Sequence, residues 1–166
     1  SNPLKMAISK FKRQGGKFIS INPVRTGYSA IADEWVPIKP GTDGALFLAL
    51  INEIIRQGLY DREFLARYSN APELVNMDEN SSEYGMFVRF EVPHEEGCFD
   101  PQNKLWWDRD LDKPISTHTP GADPYFLGEY TLDDGTKVKP SFQLLVDRVK
   151  EYTAEWASEI TGIPEE

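Results

Sequence analysis

The sequence predicts an α/β fold, and three observations predict it. Residues 4–14 (LKMAISKFKRQ) repeat apolar side chains at helical spacing, stop at Gly15-Gly16, and give way to a short β-rich run, KFISI (17–21). A second such run, EWVPI (34–38), leads into a long apolar helix-like stretch, 43–57. From about 76 to 140 the pattern changes to turn-rich, aromatic sequence with few helical signals. Helix, turn, strand, then strand, turn, helix is the alternation of α/β layers. The expected architecture is a three-layer, Rossmann-like sheet, mostly parallel, with a small irregular or antiparallel insert. The expected organisation is one α/β domain over 1–166: a core part at 1–75, the insert at 76–140 and C-terminal helices at 141–166.

Each element has a local reason. In the first helix Leu4, Ile8 and Phe11 share one face and lysines take the other. KFISI is β-branched and apolar, as a buried strand is, and Pro37 gives EWVPI an edge position or a short length. In 43–57, Leu46, Leu50 and Ile54 recur with Leu48, Ile51 and Ile55 beside them, so this helix is apolar nearly all round and is expected to be mostly buried. Gly58 stops it. Asp61 caps a helix over 62–68 with Phe64 and Leu65 facing inward. In the insert, MFVRFEV (86–92) and KLWWD (104–108) read as strands. EYTL-DDG-TKVKP (129–140) reads as a hairpin whose Asp-Gly favours a primed turn. Ser141 caps FQLLVDRVKEY, with Leu144, Leu145, Val149 and Tyr152 in one stripe, and Thr153 caps a last helix through Ile160 that Gly162 terminates.

Composition narrows the function. The 166 residues carry a formal charge of −9, the opposite of the balance a phosphate-backbone binder shows, so nucleic acid is not an expected partner. The single cysteine, Cys98, excludes an internal disulfide framework. No apolar run approaches the roughly 20 residues that span a bilayer. Both ends look cut: the chain opens inside a helix and closes on Pro164-Glu165-Glu166, a good first turn of another helix. It reads as a segment of a longer protein.

Several polar clusters carry no chemistry. His94-Glu95-Glu96-Gly97-Cys98 lacks the ligand spacing of a zinc site and reads as a solvated acidic loop. Asp108-Arg109-Asp110-Leu111-Asp112 opens like a calcium loop, but Lys113 and Thr119 occupy the positions that need Gly and Glu, so it reads as a charged turn. His118 is a loop residue without a nucleophile partner. Trp35, Trp106 and Trp107 could stack on a base, but aromatics in strands more often belong to a core.

The stretch 20–51 is different. In α/β sheets ligands lie beyond the carboxyl ends of the strands. Ser20-Ile21-Asn22 ends one strand and Ile38-Lys39-Pro40-Gly41 follows the next, so both ends share a rim if the strands are parallel. Asn22 or Asp43 could there accept hydrogen bonds from a guanine edge or ribose hydroxyls. Arg25 could meet a phosphate. Gly41 allows close backbone approach, and the helix beginning at Thr42-Asp43 offers free N–H groups. The plainer reading makes Asn22-Pro23 a turn and Thr42 or Asp43 an N-cap. Residues alone leave both open.

These same residues resemble the molybdopterin oxidoreductases of the dimethyl sulfoxide reductase family. GGKFISINPVR is similar to that family's Gly-x-Lys strand leading to Asp-Pro-Arg. ADEWVPIKPGTDGAL matches its Ala-Asp-x-Trp to Pro-Gly-Thr-Asp motif, and LYDREFL its Tyr-Asp-x-x-Phe. LWWDRD, GEYTLDDGTKVKPSFQLL and the terminal ASEITGIPEE agree later in the chain. The likeness is dense and ordered over 15–72, and looser over 76–140. It implies an internal domain of an enzyme that holds molybdenum through a bis-pyranopterin guanine dinucleotide. Asn22, Arg25, Pro40, Gly41, Thr42 and Asp43 would contact the guanine-nucleotide end. Asn22 stands where the family often has Asp, and Arg25 falls one residue later than usual because Val24 intervenes. Ser1-Asn2-Pro3 resembles the tail of a Gly-Ser-Asn-Pro loop. The resemblance further implies three partners or groups outside this segment: an iron–sulfur cluster in an amino-terminal region, a separate electron-transfer subunit, and the remaining domains of the same polypeptide. It implies no catalytic or metal-ligating residue in this segment, and no cofactor retained by it alone. The alternative is a stand-alone α/β ligand- or protein-binding module without redox activity.

Overall fold

The computed structural model describes residues 3–90, 104–117 and 119–165. The expectations for 91–103, including the His94–Cys98 loop and the end of the 86–92 strand, and for Ser1-Asn2 and His118, lie outside them. The described chain forms two compact units, residues 1–58 with 149–166, and residues 59–148.

The first unit contains helix α1 (Pro3–Arg13), strands β1 (Ile19–Ile21) and β2 (Glu34–Val36), helix α2 (Asp43–Arg56) and helix α5 (Ala154–Thr161). β1 and β2 pair in parallel, with Ile19 opposite Glu34, Ser20 opposite Trp35 and Ile21 opposite Val36. Their amino ends are pinned by Asp33. Its carboxylate accepts from the Phe18 N–H at 2.8 Å and pairs with Lys12 of α1 at 2.8 Å. α2 and α5 pack against each other, and Ala49 and Ala157 are buried. α5 begins and ends as its sequence predicts: Thr153 Oγ1 accepts from the Trp156 N–H at 3.1 Å, and Gly162 takes the left-handed conformation.

α2 corrects its expectation. Only Ala49 is buried in it, and Phe47, Leu50 and Ile54 are 58%, 42% and 43% exposed. A helix that is apolar all round needs packing elements on several sides, and the first unit supplies α5 on one. α1 behaves likewise: Ile8 is buried while Leu4 and Phe11 are about half exposed.

The second unit contains helix α3 (Arg62–Tyr68), strands β3 (Leu74–Asn76), β4 (Leu105–Asp108), β5 (Lys113–Ser116), β6 (Tyr130–Thr131) and β7 (Lys137–Pro140), and nearly all of helix α4 (Ser141–Val149). β3, β7 and β6 form one antiparallel sheet, and β4 and β5 an antiparallel pair. The expected mostly parallel sheet is therefore not found among the described residues, where β1–β2 is the one parallel pairing. Short turns connect β4 to β5 and β6 to β7, and short connections permit only antiparallel neighbours. The core here is Leu74, Trp107 and Val138, with Val88, Leu105, Tyr125, Tyr130 and Leu132 packed around it. Trp106 and Trp107 are core residues rather than an exposed stacking platform.

Three local expectations change. Residues 86–89 run beside β3, with Val88 N–H donating to Leu74 O at 2.8 Å, but they form isolated bridges rather than a strand. The 129–140 hairpin exists, yet its turn is not primed. Gly135 is left-handed and Asp134 is not, Gly135 N–H donates to Leu132 O, and Leu132 N–H donates to Thr136 O, the arrangement of a glycine bulge. Ser141 is the first residue of α4 rather than its cap, and its hydroxyl donates to Asn70 O at 2.6 Å, a tertiary contact. Asp61 does cap α3, accepting from Phe64 N–H at 2.9 Å, while Phe64 itself is 56% exposed rather than inward.

A pH dependence follows for the first unit. The hydrogen bond from Lys12, and then that from the Phe18 N–H, hold the Asp33 carboxyl below its ordinary value. On α2, Arg56 and then Gln57 hold the Glu53 carboxyl down at about 2. Folded values below unfolded ones stabilise the fold above the unfolded pKa of about 4, and that stabilisation is lost as pH falls through the folded values. Denaturant midpoints between pH 6 and 2 should fall with acid, and the double variant Asp33→Asn, Glu53→Gln should flatten that limb. An unchanged slope in the variant refutes the assignment.

Candidate functional site at the parallel strand ends

Because β1 and β2 are parallel, the chain leaves both at the same edge. Asn22 continues the ladder by one step, its N–H donating to Val36 O at 3.1 Å. Its side-chain Oδ1 then accepts from Val24 N–H at 3.0 Å, so Asn22 folds its own turn around Pro23. Its backbone carbonyl receives the Trp35 indole N–H at 2.8 Å. The Arg25 guanidinium sits over the Trp35 ring, 5.9 Å from its centroid, and makes no ion pair with the described residues.

The second loop leaves β2 through Pro37 and the buried Ile38. Lys39-Pro40-Gly41-Thr42 is a tight turn in which Thr42 N–H donates to Lys39 O at 3.3 Å. Proline second and a left-handed residue third (Gly41, φ 80°) are the signature of a type II turn. Apart from chain neighbours and the helix's own backbone, nothing lies within 4 Å of where a Cβ on Gly41 or Gly44 would stand, so backbone is open to a neighbour at both.

The plainer reading of Thr42 and Asp43 as side-chain N-caps is not what the structure has. Thr42 holds the N-cap position of α2, but its hydroxyl donates backward to Lys39 O at 2.7 Å and caps nothing. Ala45 and Leu46 donate to Thr42 O, and the Asp43 and Gly44 N–H groups take no acceptor among the described residues. The amino end of a 14-residue helix therefore stands open beside an exposed Asp43. Charge adds to this. Residues 1–32 hold Lys5, Lys10, Lys12, Arg13, Lys17 and Arg25 and no Asp or Glu, within a chain of net charge −9. The donor set suits an anionic group with a polar planar end: N–H groups and a guanidinium for phosphate, and a carboxylate for N–H or hydroxyl donors.

Sequence reasoning brought the six residues to one rim but missed what holds the second loop. Lys39 N–H donates to Thr161 O at 3.0 Å, and the Lys39 stem lies over Gly162. No spacing signal marks a contact between positions so far apart. In the second unit a recess of about 660 Å³ is lined by α3 and residues 119–124. Its arginines are already paired, Arg62 with Asp123 and Arg67 with Glu63. Among the described residues no group of three or more His, Cys, Asp and Glu could hold a metal ion.

The fold and this rim define an α/β unit with an open helix amino end at the edge where its two parallel strands finish. No family model matches the chain. It is 70% identical over 99% of its length to a sulfite dehydrogenase polypeptide of Allochromatium vinosum. It is 31% identical over 92% of its length to a putative dimethyl sulfoxide reductase catalytic polypeptide of Halobacterium salinarum. Both alignments cover 17% of those proteins, so the chain spans about one sixth of the length of these curated relatives. Among solved structures it is similar to acetylene hydratase from Pelobacter acetylenicus at a TM-score of 0.48 and 23% identity, over 95% of this chain and 12% of that one. Its homologues are molybdopterin oxidoreductases, of which the chain matches a small internal portion.

Proposed function

We propose that this segment binds the guanine-nucleotide end of the molybdenum bis-pyranopterin guanine dinucleotide in its parent enzyme, and that it otherwise serves as scaffold. The observation that carries the reading is the parallel pairing of β1 and β2, which sets Asn22–Arg25 and Pro40–Asp43 on one edge beside the open amino end of α2. Arg25 and the Asp43 and Gly44 N–H groups would meet phosphate. Asp43, and the amide of Asn22 not used in its own turn, would meet ribose or base. Gly41 lets the ligand approach the backbone. When bound, the cofactor supplies two-electron redox chemistry at the metal; these residues bind and orient its distant end.

In this reading β1 and β2 are two strands of a larger, mostly parallel Rossmann-like sheet of the parent, and the chain is one α/β domain of it. Ile19 and Ile21, 47% and 44% exposed, and the bare apolar sides of α1 and α2 are the surfaces that further elements would cover. The 70% identity to a sulfite dehydrogenase makes sulfite the substrate we propose for the parent. The reading includes an iron–sulfur cluster in the parent's amino-terminal region and a separate electron-transfer subunit.

The test is on the full-length parent. Mass spectrometry should find molybdenum and released guanine nucleotide, iron analysis should find the cluster, and the enzyme should reduce an artificial acceptor with sulfite. Arg25→Ala and Asp43→Ala should each lower nucleotide content by about tenfold under equal loading, the loss of one charge-assisted contact of about 1.5 kcal/mol or more. A well-folded parent with neither metal nor nucleotide sinks the reading.

A further inference from the structure

The turn that offers Gly41, Thr42 and Asp43 is not held by its own strand alone. Lys39 is fixed on both sides of its residue. Its carbonyl accepts from the Thr42 N–H (3.3 Å) and the Thr42 hydroxyl (2.7 Å), which closes the turn. Its N–H donates to Thr161 O at 3.0 Å, at the carboxyl end of α5. Thr161 is buried at 1% exposure, and its hydroxyl accepts from Ile163 N–H at 3.1 Å, which fixes the exit of α5. Gly162 is left-handed (φ 74°, ψ 9°), with its N–H donating to Ser158 O at 2.9 Å. A Cβ built there would stand 3.1 Å from Lys39 Cε and 3.8 Å from Lys39 Cδ. The lysine stem therefore fills the space that the missing side chain leaves.

We propose that Thr161-Gly162 is a positioning element for the Pro40–Asp43 turn, acting through Lys39, and that it sets the angle at which the turn and the amino end of α2 meet the nucleotide. The proposal rests on the nucleotide-binding reading of that turn. Physically, the turn's internal hydrogen bonds fix its shape, and the Thr161 carbonyl fixes its place. Gly162 serves twice. Its left-handed backbone ends α5, which leaves Thr161 O for the Lys39 N–H, and its lack of a Cβ lets the lysine stem lie across it. A Cβ at 162 crowds the stem, which must give by a few tenths of an ångström, and what the stem does not absorb passes to the pinned peptide.

The experiment uses the full-length holoenzyme and follows the release of guanine nucleotide in mild denaturant, with thermal midpoints measured alongside. Gly162→Asn is the first variant, because Asn tolerates the left-handed region and so separates the Cβ from backbone strain. Nucleotide should leave about tenfold faster, as when a residue behind a ligand-contacting group is changed. Gly162→Asn with Lys39→Ala removes the stem that the new Cβ meets, and should recover most of the retention. General loosening of the fold would not give that rescue. Gly162→Asn that retains nucleotide like the wild type overturns the proposal, and so does a double variant that releases it as fast as the single one. Asp43→Ala separates the two readings: if it releases nucleotide while Gly162→Asn does not, the positioning role fails and nucleotide binding stands. If neither releases it, nucleotide binding at this turn fails as well.

Discussion

Trp107→Ala is expected to cost the 59–148 unit about 3–5 kcal/mol, the range for removing a large aromatic from a packed core. Trp107 is 8% exposed and packs with Leu74 and Val138, both at 0%. Its ring stacks on Tyr130 with centroids 4.5 Å apart and planes 13° from parallel. Its indole N–H donates to Asp112 Oδ1 at 3.0 Å, which ties the left-handed residue of the β4–β5 turn (φ 48°) back to the core. Truncation thus removes packing, a ring contact and a turn tether together. Trp107→Phe keeps much of the apolar area and drops the hydrogen bond, so it should cost roughly 1–2 kcal/mol. Urea unfolding followed by the remaining tryptophans measures both. A loss below about 1.5 kcal/mol for Trp107→Ala, the lower end of what burying a large side chain contributes, contradicts this account of the core.

How much of this was legible in the sequence depends on how far each contact reaches along the chain. The caps at Asp61 and Thr153 and the stop at Gly162 are contacts within a few residues, and each forms as predicted. Ser141 has the same chemistry as those caps, but α4 begins at Ser141 itself, and its hydroxyl donates to the Asn70 carbonyl, a partner in the tertiary fold rather than in the helix. The DDG turn was read from two residues, whereas the bulge depends on the register between β6 and β7. α2 was read correctly as apolar all round, and wrongly as mostly buried, because periodicity reports which faces want cover and not what this chain supplies. At the rim, the strand ends and the Pro-Gly turn were legible from local chemistry. The Trp35 bond to Asn22 and its stack with Arg25 were not, since they need the parallel register. The Lys39–Thr161 bond joins positions more than a hundred residues apart and leaves no mark in spacing.

Asp108 provides the second large effect, and it also explains why a sequence resembling the start of a calcium loop is something else. The residue is 3% exposed. Its Oδ1 accepts from the Asp110 and Leu111 N–H groups at 3.0 and 2.8 Å, and its Oδ2 from the Asp123 N–H at 3.1 Å. The carboxylate is thus occupied by backbone donors. It closes the β4–β5 turn and fastens the 122–125 segment to β4, where Arg109 N–H also donates to Asp123 O and Tyr125 N–H to Trp107 O. Asp108→Ala leaves three N–H groups without their acceptor and should cost about 2–4 kcal/mol, given about 1–3 kcal/mol for a buried group left unsatisfied and partial rescue by water. Asp108→Asn is the more informative change. It keeps the shape and one acceptor oxygen, but turns an N–H₂ toward either Asp123 N–H or the turn donors. It should therefore lose more than its near-identical volume suggests, and the amides on the unsatisfied side should lose hydrogen-exchange protection first. If the loop were instead a cation site, stability would rise with added calcium in the wild type and the asparagine variant would lose that response. A wild type indifferent to calcium, with an asparagine variant that is destabilised and deprotected at Asp110, Leu111 or Asp123, is the result the hydrogen bonding requires.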